Sequence, residues 1–211
     1  EHNDRGWFTA HRERYRADVQ EPLLAFIADM GPPLATISPH FVADPRPSGG
    51  SMFRIFRDVR FSRDKRPYKT HAAAQFRHRA GSDVHAPGFY LHLEPGKCFA
   101  AAGLWQPSTA NAQAIRRAIA DRPDSWVRAT RRVPFSRVYA LDEGDPLTRP
   151  PQGFDAGHPL LADLKRRSFI GSTRLTQGRV TAPGFLEDYA DTLKAGLPFM
   201  RFLCEALDLA I

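Results

Sequence analysis

The chain has little of several features that mark common protein classes. Its 211 residues include two cysteines, Cys98 and Cys204, whose wide separation fits reduced thiols in the cytoplasm better than a disulfide framework. No apolar run approaches the roughly 20 residues of a membrane-spanning helix, and no signal peptide is visible. No cysteine and histidine spacing predicts a zinc site. We therefore expect a cytoplasmic protein with no membrane partner, no metal and no other cofactor.

The motifs of several large enzyme classes are also absent. The sequence has no GxxxxGK[ST] phosphate loop, no GxGxxG turn, no GxSxG elbow and no HExxH pair. A metal-dependent phosphodiesterase would need two or three converging carboxylates. The candidates are Asp58, Asp64, Glu94 and Asp155. The spacing of these carboxylates along the chain does not indicate that they converge on a metal ion, so the sequence leaves open whether the protein is an enzyme.

The positive charge of the chain is concentrated in one stretch. Residues 51–79 contain nine lysine and arginine residues and two aspartates, which gives this stretch a net charge of +7. The whole chain also carries +7, so the remaining residues sum to zero. The excess is a local property, and it points to an anionic partner for this stretch.

The residue pattern of this stretch predicts two strands joined by a basic loop. After the flexible pair Gly49-Gly50, strand-forming apolar residues alternate with arginines over residues 51–57. Residues 58–67 have no sustained period, and Pro67 removes a backbone donor. Residues 71–79 are predicted as the second strand. A loop held by two strands is a usual place for binding residues.

We predict that this loop binds an anion, because converging arginine and lysine side chains suit phosphate or carboxylate groups. The predicted ligands are Arg54, Arg57, Arg60, Lys65 and Lys69. Asp58 and Asp64 are expected to pair with arginines and fix their orientation. A small anionic ligand is favoured over nucleic acid, and the sequence leaves the oligomeric state open.

Four aromatic side chains are candidates to line a pocket beside the loop. They are Tyr68, Tyr90, His92 and Trp105. Aromatic rings beside arginines suit a base or sugar stacked over a bound phosphate. The alternative places these rings in the sheet and the core. Arg116 either adds a further charge to the site or lies on a solvent-exposed helix face.

Three functions are compatible with this basic loop. The first is an enzyme that acts on a phosphorylated small molecule. The second is a non-catalytic module that binds nucleic acid or a phosphopeptide. The third is an interaction protein in which the loop is a structural ion-pair network. We favour anion binding, because a purely structural network would be closer to neutral.

Asp155 and His158 form a second candidate cluster in a later loop. They suit an acid–base or metal pair. The alternative, which we favour, has Asp155 or Gly157 capping a short helix that begins at Pro159, with His158 filling a polar niche.

The order of the elements predicts an α+β fold in a single domain over residues 1–211. Residues 9–30 read as a helix that breaks near Pro22 and is stopped by residues 31–33. Strands at 89–94 and 98–105 flank a turn at Pro95-Gly96, which implies an antiparallel sheet, with a mixed sheet as the alternative. Helices are expected to cover the sheet. A C-terminal helical segment is expected to be interrupted at Gly196 and Pro198.

The string RDVRFSRDKRPYKT resembles the RDxRFSxDKxPYK signature of domain-of-unknown-function family 2461, which is found in bacteria and fungi. Further resemblances follow in the family's order along nearly the whole chain. They are Asn3-Asp4-Arg5 with Trp7-Phe8, Gly88-Phe89-Tyr90-Leu91, Gly103-Leu104-Trp105 with Pro107, Arg116, and Pro151 with Gly153-Phe154-Asp155 and His158-Pro159. The resemblance implies a short helical segment ahead of the opening motif, so the chain is expected to be trimmed at its N-terminus. It implies kinship and leaves the function open.

Overall fold

Helices come first, then most of the sheet, then helices again, in a computed structural model that describes residues 2–81 and 85–211. The strands are β1 (Ala72–Arg77), β2 (Gly88–Leu93), β3 (Cys98–Leu104), β4 (Ala140–Leu141) and β5 (Phe169–Leu175). The helices are α1 (Arg5–Ala10), α2 (Arg12–Tyr15), α3 (Glu21–Asp29), α4 (Gly31–Ile37), α5 (Thr109–Asp121), α6 (Pro123–Arg131), α7 (Phe135–Val138), α8 (Leu161–Leu164), α9 (Gln177–Val180) and α10 (Phe185–Ala206), with a π-helical turn at Arg16–Gln20.

The sheet has the order β1-β2-β3-β5-β4, and each neighbouring pair is antiparallel. The β2–β3 hairpin turns at the predicted Pro95-Gly96, where the Lys97 N–H donates to the Glu94 carbonyl at 2.9 Å. Gly96 has a φ of 77°, a conformation that glycine adopts without steric cost. The helices pack with this sheet around a single hydrophobic core, which confirms the α+β prediction.

One prediction for the helices is confirmed and another is wrong. α3 ends at Asp29, just before residues 31–33, and a separate helix, α4, then begins at Gly31 because proline is tolerated in the first turn. Gly196 and Pro198 do not interrupt α10, which is continuous over 22 residues. A Cβ at position 196 would lie 3.2 Å from the Cβ of Ala102, so glycine permits close packing of α10 on β3. This packing stabilises α10 on both sides of Pro198.

The predicted strand over residues 51–57 is also wrong. Its first part runs along the outer side of β1, where Met52 forms an isolated bridge with Ala74. The chain then leaves β1 and pairs with its own later residues, through a bridge between Phe56 and Tyr68. A further bridge, between Phe41 and His78, also lies on the outer side of β1. Residues 57–67, enclosed by the Phe56–Tyr68 bridge, are called the basic loop below.

The two faces of the sheet differ. One face packs on α10 and carries buried apolar residues such as Phe76, Phe89 and Leu91. Strand register places Tyr90, Ala101 and their neighbours on the opposite face, where Tyr90 is partly exposed. Among the described residues, no helix is long and apolar enough to cross a membrane. The opposite face and the basic loop border the two cavities described below.

Candidate functional site

Two aspartates pair with three arginines in the basic loop, which leaves one positive charge uncompensated. Arg60 pairs with Asp58 at 2.7 Å, and Asp64 accepts from both Arg57 and Arg66 at 2.8 Å. Hydrogen bonding from Arg60 lowers the pKa of Asp58 to about 2. Hydrogen bonding from Arg66, with a further contribution from Arg57, holds the pKa of Asp64 well below its usual range.

The Arg60–Asp58 pair is exposed, and the Arg57–Asp64 pair is partly buried. The Arg60 side chain is 76% accessible and its Asp58 partner 47%. Exposed pairs of this kind contribute little to stability because water and salt screen them. Lys65 is exposed as well, and its ammonium donates to the Val59 carbonyl at 3.0 Å. The predicted ligands Arg57, Arg60 and Lys65 thus brace the loop itself.

A pH titration tests this bracing. Because Asp58 has a lowered pKa in the folded state, its contribution to stability is present above the ordinary value of 3.8 and is lost as the pH falls towards about 2. We expect a carboxyl-carbon NMR titration to give a midpoint near 2 for Asp58. Replacing Arg60 by alanine should move that midpoint towards 3.8. A midpoint near 3.8 in the unmodified protein would contradict the pairing.

Of the five predicted ligands, Arg54, Lys65 and Lys69 form no ion pair within the part of the chain that the structure describes. Lys69 is half-buried, its ammonium donates to the Arg54 carbonyl at 2.8 Å, and it lies 5.2 Å from the Phe53 ring centre. Burial, and then the nearby charge of Arg54, lower the pKa of Lys69. Together with Arg57, Arg66 and His71, Lys69 borders a cavity of about 450 Å³, here called the loop cavity.

The N-terminal segment fixes the end of the loop. The Asn3 amide donates to the Tyr68 carbonyl at 3.0 Å and its oxygen accepts from the Tyr68 N–H at 3.0 Å, which completes both backbone bonds of that residue. Phe8 packs on the Tyr68 ring with centroids 4.3 Å apart. Tyr68 borders the loop cavity, but it is buried and its backbone positions Lys69.

Beside the loop cavity, two strands bring together His71, His92 and Glu94, here called the His–Glu cluster. One nitrogen or oxygen from each residue lies within 4.8 Å of the other two. His92 Nε2 lies 3.3 Å from Glu94 Oε2, and the rings of His71 and His92 are 4.3 Å apart. His92 is buried and the other two residues are partly exposed. The register of β1 and β2 places all three on the same sheet face.

Two hydroxyl groups hold this cluster. The Tyr90 hydroxyl lies 3.0 Å from His92 Nδ1, and the Thr70 hydroxyl donates to Glu94 Oε1 at 2.7 Å. The hydrogen bond from Thr70, followed by that from His92, lowers the pKa of Glu94, while burial raises the pKa of Tyr90 to about 12. Burial also lowers the pKa of His71. The cluster therefore presents imidazole nitrogens and a carboxylate, groups that can hold a metal ion or transfer a proton.

A second cavity, of about 370 Å³, opens on the same sheet face. Phe53, Tyr90, Phe99 and Trp105 border it, and small residues such as Gly103 form its floor. Tyr90 belongs both to this cavity and to the contacts of the His–Glu cluster. The four rings predicted to line one pocket beside the loop are divided: Tyr68 borders the loop cavity, Tyr90 and Trp105 border this second cavity, and His92 belongs to the His–Glu cluster.

Comparison with protein families agrees with the resemblance in the sequence. The family model described as "Conserved hypothetical protein (DUF2461)" matches residues 1–202. The chain belongs to the DUF2461 family. No curated protein and no solved structure matches it.

Two predicted groups in this DUF2461 protein are engaged away from the basic loop. Arg116 is buried, and its guanidinium donates to the carbonyls of Leu164 and Arg166 at 2.7 and 2.9 Å. Asp155 accepts from the Gly157 N–H, and His158 Nδ1 accepts from the Leu160 N–H. These contacts lie within the turns before α8. The predicted capping of a helix that begins at Pro159 is wrong, because α8 begins at Leu161 and its N-cap, Leu160, makes no side-chain capping bond.

The sequence of this DUF2461 protein did not indicate that His71 belongs to the His–Glu cluster. The available signal was weak: His92 and Glu94 are two residues apart in a predicted strand, and His71 begins the neighbouring strand. Residues at this spacing share a face of a strand. Only the register between β1 and β2 shows that His71 lies on the same face.

Proposed function

We propose that this protein binds a small anionic molecule in the loop cavity, with Lys69 as the principal ligand. The observation that carries the proposal is that Lys69 is half-buried beside this cavity without a carboxylate partner among the described residues. A partly desolvated cation is costly unless a counter-charge or strong hydrogen bonds compensate. The Arg54 carbonyl supplies one hydrogen bond but no charge. A phosphate or carboxylate group of a ligand would supply both.

The neighbouring groups narrow the proposed ligand set. Arg57 and Arg60 are paired with aspartates, and Lys65 is bonded to a backbone carbonyl. Of the five predicted ligands, Arg57 and Lys69 border the loop cavity, and Lys69 is the one without a carboxylate partner among the described residues, so it is the cation most available to a ligand. The cavity volume of about 450 Å³ is in the usual range for small-molecule sites.

The adjoining His–Glu cluster favours an enzyme over a non-catalytic module. His71 borders the loop cavity and lies beside His92, which is linked to both Tyr90 and Glu94. A histidine held between a hydroxyl and a carboxylate is a suitable general acid or base. We therefore favour an enzyme that acts on a phosphorylated small molecule.

Substitution of Lys69 by methionine tests the proposal, with Lys65→Met as a matched control. Phosphate, added to chelator-treated protein, should stabilise the wild type by about 2.7 kcal/mol at one hundred times its Kd. For a chain of this size, that is a rise in Tm of about 5–10 °C. Lys69→Met should lose the rise and be at least as stable without phosphate, because a desolvated charge is removed. Lys65→Met should keep it.

The outcomes separate the functions considered. If neither phosphate nor sulfate shifts the wild type, or if Lys69→Met keeps the full shift, the proposed site is wrong. Single-stranded RNA should be titrated in parallel across a salt series. Tight, strongly salt-dependent RNA binding without any response to phosphate would replace the small-molecule proposal with nucleic-acid binding.

A further inference from the structure

We propose that the His–Glu cluster is a binding site for a divalent transition-metal ion of the zinc type. This inference stands on the geometry of His71, His92 and Glu94 and does not depend on anion binding in the loop cavity. It adds a cofactor site that the spacing of residues along the sequence does not predict.

The positions of the ligand atoms suit a single ion. Zinc binds histidine nitrogen and carboxylate oxygen at about 2.0–2.2 Å, so two tetrahedral ligands lie about 3.3 Å from one another. The separation of His92 Nε2 and Glu94 Oε2 is 3.3 Å. The ligand atom of His71 lies within 4.8 Å of both, and a small rotation of this partly exposed side chain would complete the set.

The outer hydrogen bonds of the cluster leave His92 Nε2 and Glu94 Oε2 facing each other, and an ion between them would replace their mutual hydrogen bond. Tyr90 contacts His92 at Nδ1 and so leaves Nε2 directed at Glu94, while Thr70 bonds Glu94 at Oε1 and leaves Oε2 directed at His92. Metal-binding histidines and carboxylates are usually oriented by such outer hydrogen bonds. Neither ring nitrogen of His71 has a hydrogen-bond partner in residues 2–81 or 85–211. The cluster therefore resembles a prepared ligand set more closely than a closed hydrogen-bonded chain.

The donor types select the class of ion. Two imidazoles and one carboxylate suit zinc and other first-row transition metals, whereas magnesium and calcium prefer oxygen ligands. Three protein ligands leave one coordination position for water or a substrate oxygen, as in catalytic zinc sites. His71 also borders the loop cavity, so that open position would face the place where the anion is proposed to bind.

Metal titration of chelator-treated protein tests the site. We expect calorimetry to show one Zn²⁺ bound per chain, and Co²⁺ to give the visible absorption of a low-symmetry site with nitrogen and oxygen ligands. His71→Ala and Glu94→Gln should each weaken binding by more than about 100-fold, since outer-shell changes alone cost 10–100-fold. Both positions are partly exposed, so these variants should fold, which circular dichroism would check.

His158→Ala is the matched control, because the ring of this histidine accepts a hydrogen bond within its own turn, away from the His–Glu cluster, and its loss should leave metal binding unchanged. The proposal is overturned if the wild type binds no Zn²⁺, or if His71→Ala binds as well as His158→Ala. A thiolate-to-cobalt absorption band would also overturn it, since it would place Cys98 or Cys204 among the ligands. The anion test is made with a chelator present, so failure of either site is distinguishable from failure of the other.

Discussion

Gly103→Ala is expected to destabilise the protein by at least about 3 kcal/mol. Gly103 lies in the central strand β3 with a φ of 136°, where side chains are strained. A Cβ there would lie 2.0 Å from the Phe169 carbonyl oxygen and 2.9 Å from the Ile170 Cα. Neither backbone atom can move without disturbing the β3–β5 pairing. Denaturant unfolding of the purified variant measures the loss.

Gly96→Ala is the control for this substitution. Gly96 also has a positive φ, of 77°, but no atom lies within 4 Å of a Cβ built on it. Its replacement should cost only the conformational strain, roughly 1–2 kcal/mol. Equal losses in the two variants would show that the close approach of β5 to Gly103 is unimportant.

Trp126→Ala should cost about 3–5 kcal/mol, the usual range for removing a large buried aromatic side chain. Trp126 is fully buried in α6, and its ring contacts Phe169, Phe199 and Phe202 with centroids 5.2–6.3 Å apart. It joins β5 to α10 at the centre of the core. Loss of cooperative unfolding, or a midpoint shifted far towards low denaturant, is the expected result.

Trp105→Ala provides a comparison within the same residue type. Trp105 is 48% exposed, stacks on His85 and borders the cavity on the open sheet face. Its removal should change stability by no more than about 1 kcal/mol. A loss as large as that of Trp126→Ala would mean that the open face is part of the folding core and is unsuited to a ligand.

Local patterns were sufficient to predict some of this structure. The β2–β3 hairpin followed from alternating residues around Pro95-Gly96, and the hairpin is antiparallel. Asp58 and Arg60, which the sequence placed in one basic loop, form an ion pair across only two residues. Contacts this short depend on neighbouring residues and little else.

The candidate site depends on contacts that are distant in sequence. Asn3 completes the hydrogen bonds of Tyr68 from 65 residues away and so helps to position Lys69. The His–Glu cluster requires a particular register between β1 and β2, and a shift of one residue would move His71 to the other face. Register is set by packing and turn geometry together, which residue spacing alone does not contain.

The two edges of the sheet are protected in ways that affect whether the protein aggregates. A long unpaired edge strand is a template onto which another chain can add. Here the outer edge of β1 is covered by bridges at Phe41 and Met52, and the opposite edge ends in β4, which is only two residues long. The segment that protects β1 continues directly into the basic loop. Partial unfolding that begins in this loop would therefore uncover a strand able to recruit neighbouring molecules, and a ligand that holds the loop in place would also protect the protein from self-association.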